Sequence, residues 1–257
     1  MKKILLTLIC LVFIANPMLA QNVHFVTSGT IEFDKTVNMY ALMQKEINKE
    51  NYIYRENYFE AYKKDHPQFK VLKSMLNFSG TKTLFTPIDD AQAVDNYPFA
   101  TPMAYQNNIV FNDLGTNQSI IQKKILGDIF LLKDTTRKIH WKITSETREI
   151  AGYTCRRANA IIMDSIYVVA FFTEKIHVSA GPETFTGLPG MILGLALPHE
   201  NVTWFASKVT DMTIEDKALT PPKKGKSVTN QTIQTELQPA MKRFGDFKQT
   251  YLKALML

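Results

Sequence analysis

The chain has 257 residues, of which 45% are hydrophobic, 11% aromatic and 21% charged, with 11 glycines and 11 prolines. This composition excludes a collagen-like, low-complexity or wholly disordered protein. At this length, one large domain or two small ones bury a core without disulfides or metals, because the buried fraction of surface rises with chain length.

The first twenty residues have the pattern of a signal peptide. Lys2 and Lys3 form a positive start, residues 4–14 are an apolar run broken by Thr7, and Ala20 ends a segment typical of a cleavage site. We expect cleavage after Ala20 and a periplasmic or secreted protein. The apolar run is too short to span a bilayer, so we expect no transmembrane span.

Cleavage changes both the charge and the cysteine count of the chain. The formal charge falls by two from +6, which is mild and gives little support for a nucleic-acid partner. Loss of Cys10 leaves Cys155 alone, which excludes an internal disulfide. Cys155 is then either a buried small apolar residue or an exposed thiol available for intermolecular chemistry.

The pattern after residue 20 changes from strand to helix. Residues 23–33 alternate, with Phe25, Ile31 and Phe33 on one face, which predicts a half-buried opening strand. Between Val37 and Tyr62, apolar residues recur near helical spacing and predict one or two helices.

A hairpin and a long loop follow. Residues 72–78 and 83–86 have strand character, and the Asn77–Gly80 segment between them is typical of a hairpin turn. Residues 86–108 contain three prolines and no sustained period. A loop of this length is usually a functional lid or a mobile segment.

From residue 108 onward the pattern is strand after strand. Six strands are predicted, at residues 109–111, 127–132, 138–143, 158–163, 167–172 and 202–206. Asp164 and Ser165 fit the tip of a hairpin between the fourth and fifth of these strands. Because the connections are short, we expect an antiparallel sheet.

The last part of the chain differs in composition. Residues 220–226 combine two prolines with three lysines, which predicts a linker or an exposed edge. Residues 240–257 predict an amphipathic helix that docks on the domain or meets a partner or membrane surface. Its apolar face contains Phe244, Phe247, Tyr251, Leu252 and Leu255.

Motifs for common catalytic sites are missing from the sequence. The five histidines are far apart, and there is no His-x-x-x-His, Cys-x-x-Cys, Gly-x-Ser-x-Gly or phosphate-binding glycine motif. We therefore expect no metal, no cofactor and no catalytic residue. Cys155 with His177 is a conceivable nucleophile and base, although strand positions explain both residues equally well.

The segment from Gly181 to Gly194 has the densest turn signals. Pro189-Gly190 has the residue order of a type II turn, and Met191-Ile-Leu193 reads as an apolar strand after it. These residues predict a tight structural corner whose only acid is Glu183.

Three elements in order carry a resemblance to a known family. They are Glu149-Ile-Ala-Gly-Tyr-Thr-Cys-Arg-Arg-Ala158, Ala170-Phe-Phe-Thr-Glu-Lys-Ile176 and Gly187-Leu-Pro-Gly-Met-Ile192. The set resembles the GLPGLI family of exported Bacteroidetes proteins. The chain departs from the pattern where Met191 replaces the second Leu and where Phe171-Phe172 replaces the usual Trp-Tyr.

The resemblance implies a fold and a location without a reaction. The family is similar to the bowl-shaped β domain beside the catalytic part of one class of bacterial glycan-releasing amidases. It therefore implies a β-rich α+β fold with a curved antiparallel sheet, a bowl or half-barrel. We expect this domain over residues 21–219, and the basic linker and C-terminal helix over 220–257.

Our first functional hypothesis is a non-catalytic envelope protein. A concave sheet would bind an apolar ligand or an envelope protein, with the 86–108 loop as a rim. The candidate lining residues are Trp141, Tyr153, Phe171, Phe172 and Trp204.

Two rival hypotheses remain. A cell-surface hydrolase acting on glycan or peptide would need a Cys155–His177 pair or two converging carboxylates from Glu146, Glu149, Glu174 and Glu183. Assembly through the sheet edges or through the 240–257 helix would need no chemistry.

Overall fold

The computed structural model describes residues 25–88, 102–105 and 108–257. Within these ranges the chain forms a sheet of twelve strands and five α-helices. The strands are β1 Ser28–Asn38, β2 Phe69–Ser79, β3 Lys82–Ile88, β4 Asn108–Asp113, β5 Gln118–Ile125, β6 Asp128–Thr135, β7 Lys142–Ile150, β8 Tyr153–Ile162, β9 Ile166–Thr173, β10 Met191–Leu197, β11 Val202–Asp211 and β12 Lys226–Val228. The helices are α1 Met39–Lys45, α2 Tyr52–Asp65, α3 Pro102–Tyr105, α4 Asn230–Met241 and α5 Lys248–Met256.

The strands form an open, curved sheet in the order β12-β6-β5-β4-β3-β2-β1-β11-β10-β9-β8-β7. Every neighbouring pair is antiparallel except β12 and β6, which are parallel. The β-rich α+β class and the antiparallel sheet expected from the sequence are confirmed. Register shifts in the β1–β11, β9–β10 and β7–β8 pairs mark irregularities of the kind that bend a sheet.

One face of the sheet carries the core, and we call it the inner face. Every second residue of β1 is buried, which places Ile31, Phe33 and Val37 on this face. The cross-strand register extends the face from Ile31 through Leu76, Phe85, Val110 and Ile121. Residues of α1, α5 and the loop between β9 and β10 belong to the same hydrophobic cluster, so these segments cover the inner face.

The N-terminal elements follow the sequence prediction with one correction. Ile31 and Phe33 are buried as expected, but the strand begins at Ser28, and Phe25 is exposed and stacks on His177. The predicted helical segment contains two helices, α1 and α2. Asn38 caps α1, since its side chain accepts a hydrogen bond from the Ala41 backbone N–H at 3.1 Å.

Most of the predicted strands are confirmed, although some were missed or displaced. The β2–β3 hairpin and the turn at Asp164 and Ser165 are present. The sequence analysis missed β5 and β12, the strand predicted at 138–143 begins instead at Lys142, and β8 begins five residues before the predicted position. In the predicted 86–108 loop, residues 89–101 and 106–107 lie outside the described part of the chain.

The C-terminal segment is more divided than its periodicity predicted. A separate helix, α4, precedes it, and the expected 240–257 helix is interrupted at Gly245 before α5 begins. Tyr251, Leu252 and Leu255 of α5 are buried, so this helix docks on the domain. Within the described residues, no helix is long and apolar enough to cross a membrane.

The β9–β10 loop, residues 174–190, ends in the tight turn that the sequence predicts. Gly190 has φ +146°, and a Cβ at this position would lie 2.1 Å from the Thr173 carbonyl oxygen. The Ile192 N–H donates to the Ala180 carbonyl at 2.7 Å, which joins the start of β10 to the loop. Glycine is therefore required here both by the backbone conformation and by the close approach of β9.

Gly190→Ala is expected to lower the free energy of unfolding by about 3 kcal/mol, because it adds backbone strain and a main-chain clash. Gly152→Ala is the matched control, since Gly152 also has positive φ but has open space around it. The control is expected to cost about 1–2 kcal/mol. Urea unfolding of both variants checks the difference, and equal losses would contradict the close-packing argument.

Candidate functional site

Charged side chains lie on the inner face among hydrophobic residues. Alternation along β1 and β5 places Lys35 and Lys123 on this face, and both are buried. The β9–β10 loop brings Glu183 to the same region, where the Asn108 side-chain amide donates to its carboxylate at 2.8 Å. Glu183 is buried and has positive φ, a conformation uncommon for a residue with a side chain. We call Lys35, Asn108, Lys123 and Glu183 the inner cluster.

Burial dominates the electrostatics of the inner cluster. It raises the pKa of Glu183, with opposition from Lys35, the Asn108 hydrogen bond and Lys123. Burial also lowers the pKa of Lys35 and brings the pKa of Lys123 to about 8, while Glu183 raises both. Each charge therefore has an unfavourable desolvation energy that the opposite charge offsets in part.

The inner cluster contains residues from distant strands of the curved sheet. Lys35 on β1 and Lys123 on β5 are four strands apart, which is about 19 Å in a flat sheet. Glu183, on the β9–β10 loop, is the acid that raises the pKa of both lysines.

The end of α5 supplies hydrogen-bond acceptors to the buried cations. Lys123 Nζ donates to the Leu255 carbonyl at 3.0 Å, and Arg137 Nη2 donates to the Met256 carbonyl at 2.7 Å. Thr184 Oγ1 donates to the Leu257 carbonyl oxygen at 3.2 Å. Carbonyls at a helix C-terminus lack partners within the helix and attract cations, so these contacts hold α5 against the concave face.

A second polar group holds the first half of α5. Tyr251 Oη donates to Glu46 Oε1 at 3.1 Å, and Arg55 forms an ion pair with the same carboxylate. Burial raises the pKa of Glu46, while Arg55 and Tyr251 lower it. The helix is thus held by polar contacts at both ends, with apolar packing between them.

Two small cavities border the inner cluster. Each has a volume of about 10 Å³, which is room for one water molecule, and Lys35, Asn108, Glu183 and Trp204 line both. Ser74 lines the first cavity, and its buried hydroxyl has no hydrogen-bond partner among the described residues. These dimensions suit an ordered water molecule rather than a substrate.

The five predicted lining residues do not share one surface. Trp204 and Phe172 lie on the inner face, where the Lys35 ammonium is 5.0 Å from the centroid of the Trp204 ring. Phe171 pairs with Gly194 and lies on the opposite face of the sheet. Trp141 precedes β7 and donates to the Thr186 carbonyl at 2.9 Å, and Tyr153 is half-buried at the β7–β8 hairpin. Trp204 lines both of the water-sized cavities beside the inner cluster.

The acids considered for hydrolysis are separated. Glu146 and Glu174 form ion pairs with Arg157 and Arg156 at exposed positions, whereas Glu183 is buried. Glu149 is exposed on β7. These placements do not bring a carboxylate pair into one cleft.

The conceivable Cys155–His177 pair does not have the environment of an activated nucleophile. Cys155 is buried, and burial raises the pKa of its thiol to about 12, which keeps it protonated at neutral pH. His177 is exposed and stacks on Phe25 with ring centroids 3.9 Å apart. Across the described ranges, no group of three His, Cys, Asp or Glu side chains is placed to hold a metal ion.

The sequence analysis missed Lys35 and Lys123, although a signal for them exists. Lys35 alternates with Ile31 and Phe33, and Lys123 alternates with Ile121. A lysine in register with core residues is rarely buried without a partner and therefore indicates a buried charge.

Comparison with known proteins gives one short family match. A family model described as a protein of unknown function, Porph_ging, matches residues 161–194, which include the Gly187–Ile192 corner. No curated protein matches the chain.

Two solved structures of PNGF-II, in space groups P21 and C2, are similar to the chain at 16% and 15% identity. Both comparisons have a TM-score of 0.49 and cover 81% of this chain and 32% of the PNGF-II chain. The chain therefore spans about a third of the length of PNGF-II.

Lys123 is expected to make stability depend on pH. Its pKa of about 8 in the folded protein lies below the value of about 10.4 for a free lysine. Between these values the unfolded chain binds more protons, so the free energy of unfolding rises with pH, by about 1–3 kcal/mol.

Urea unfolding between about pH 7.5 and pH 10 measures this contribution as the difference between wild type and Lys123→Met. The exposed neighbour gives a matched control, Lys124→Met, which is expected to keep the rise. A rise of the same size in Lys123→Met would contradict the assignment to Lys123.

Proposed function

We propose that this protein is an exported, non-catalytic binding protein that resembles the GLPGLI family and holds an apolar ligand above its concave face. The proposal rests on one observation, a cavity of about 430 Å³ between α1 and α5, which we call the α1–α5 cleft. This volume lies in the range of cavities that hold small molecules. The cleft is far larger than the water-sized cavities beside the inner cluster.

The lining of the α1–α5 cleft contains both apolar and polar residues. Leu42, Met103 and Ala254 are buried residues that line it. Polar groups also line it, including Glu46 and Tyr251, which hydrogen-bond to each other. Glu200 and Asp246 add further carboxylates. A neutral apolar molecule fits this lining, and a hydrogen-bond donor at one end would add to its affinity without being required.

We place the ligand in the α1–α5 cleft, whereas the sequence analysis expected it on the aromatic residues of the concave sheet. The end of α5 occupies the concave face beside Lys123 and Thr184, so the aromatic residues on the sheet are not open to a large ligand there. A binding role for Trp204 and Phe172 would require α5 to move. The cleft offers binding space with α5 in place.

Export is supported by the N-terminal sequence. Lys2, Lys3 and the apolar run at residues 4–14 have the order of a signal peptide, and the GLPGLI resemblance implies the same location. A non-catalytic role is supported by the buried, protonated Cys155 and by the exposed ion pairs of Glu146 and Glu174.

Thr250→Trp is expected to weaken binding of the neutral apolar dye Nile red by about tenfold or more, which corresponds to about 1.4 kcal/mol. Thr250 is exposed and lines the α1–α5 cleft, so an indole ring fills the cavity without disturbing the core. Fluorescence titration of the purified mature protein measures the affinity.

Gln249→Trp is the matched control, because Gln249 is exposed on the same helix and does not line the cleft. It is expected to bind the dye like wild type. Absence of dye binding to wild type, or equal affinities in wild type and Thr250→Trp, would refute a ligand site in this cleft.

A further inference from the structure

A second cavity lies near the other end of α5, against β5 and β6. Its volume is about 330 Å³, and we call it the Arg137 cavity. It is lined by Ser119, Ile121, Leu132, Asp134, Arg137 and Met256, with further residues from α4 and the segment after β6. No residue is shared with the α1–α5 cleft.

Arg137 is the half-buried cation of this cavity, and the exposed Lys138 is a second cation in its lining. One guanidinium N–H donates to the Met256 carbonyl at 2.7 Å, and the side chain is half-buried. Among the described residues, no carboxylate lies within ion-pair distance of Arg137. A guanidinium stays protonated under physiological conditions, so it presents a desolvated positive charge with donors unused by that contact.

The carboxylate of the cavity lining has other partners. Asp134 Oδ1 accepts from the Thr135 N–H at 2.8 Å, and Oδ2 accepts from the Asn230 N–H at 3.1 Å. Asn230 begins α4, so Asp134 also faces the positive end of that helix. The Asp134 carboxylate therefore interacts with the start of α4.

The walls of the cavity indicate the rest of the ligand. Ile121 and Leu132 are buried on the inner face and form an apolar surface beside Arg137. Met163 and Met256 add flexible thioether side chains, which adapt to aliphatic chains. The Ser119 and Thr184 hydroxyls lie on buried residues of the same lining.

We propose that the Arg137 cavity binds a small organic carboxylate, with the carboxylate on the Arg137 guanidinium and a short hydrocarbon body against Ile121 and Leu132. A guanidinium matches a carboxylate through two parallel hydrogen bonds. The apolar walls favour a ligand with a hydrocarbon body over a bare inorganic anion. This site is independent of the α1–α5 cleft.

Calorimetric titration of the mature protein with sodium octanoate at about pH 7 tests the proposal. Arg137→Lys keeps the charge but loses the two-pronged geometry, and we expect the affinity to fall by about tenfold or more. Gln234→Trp, at an exposed position of α4 that lines the cavity, is expected to weaken binding similarly by filling the entrance.

Three controls show whether binding depends on this cavity and on the charge of the ligand. Gln231→Trp, exposed on α4 and outside the cavity lining, and Thr250→Trp in the α1–α5 cleft are both expected to bind octanoate like wild type. In Thr250→Trp, whose α1–α5 cleft is filled, octanol, which lacks the charge, is expected to bind at least about tenfold more weakly than octanoate. Thermal unfolding shows whether each variant is folded.

The proposal is overturned if wild type does not bind octanoate, if Thr250→Trp binds octanol as well as octanoate, or if folded Arg137→Lys or Gln234→Trp keeps the wild-type affinity. Binding of inorganic phosphate without binding of octanoate would overturn the assignment of a hydrocarbon-bearing ligand. Loss of Nile red binding in Thr250→Trp with octanoate binding intact would support both sites separately.

Discussion

The burial of Lys35, Lys123 and Glu183 on the concave face is the constraint on which the arrangement of this protein depends. Charges removed from water need acceptors, donors or opposite charges, and a sheet whose backbone groups pair with each other offers few of them. The β9–β10 loop supplies the carboxylate, and the carbonyl end of α5 supplies acceptors to Lys123. The requirement for partners thus explains why this loop and this helix, rather than a ligand, occupy the centre of the concave face.

This occupation places the space for ligands beside α5 instead of beneath it. The α1–α5 cleft adjoins the half of the helix held by Glu46, and the Arg137 cavity adjoins the half held by Lys123. The two spaces differ in charge, because three carboxylates and one lysine line the first, whereas Arg137, Lys138 and one carboxylate line the second. One docked helix therefore creates two binding environments of different chemistry on the same sheet.

Periodicity and turn residues in the sequence predicted the sheet, its hairpins and one or two N-terminal helices, because alternation and tight turns are local properties. Phe171 and Phe172 do not share one face of the sheet, since adjacent strand residues point to opposite faces. The inner cluster was not found because its members come from distant parts of the chain. Alternation marked Lys35 as a core position, but the search for chemistry relied on spacing between ionisable residues.

The contacts of α5 also have a consequence for the order in which the protein folds. Lys123 and Leu255 are 132 residues apart in sequence, and Glu46 and Tyr251 are 205 residues apart. Contacts of such long range form slowly, since closing the intervening chain has a large entropic cost. Before α5 packs against the sheet, the lysine ammonium groups are hydrated and the hydrophobic residues around them are exposed to water. Packing of α5 against the sheet is therefore a late step of folding, and this step excludes water from the concave face.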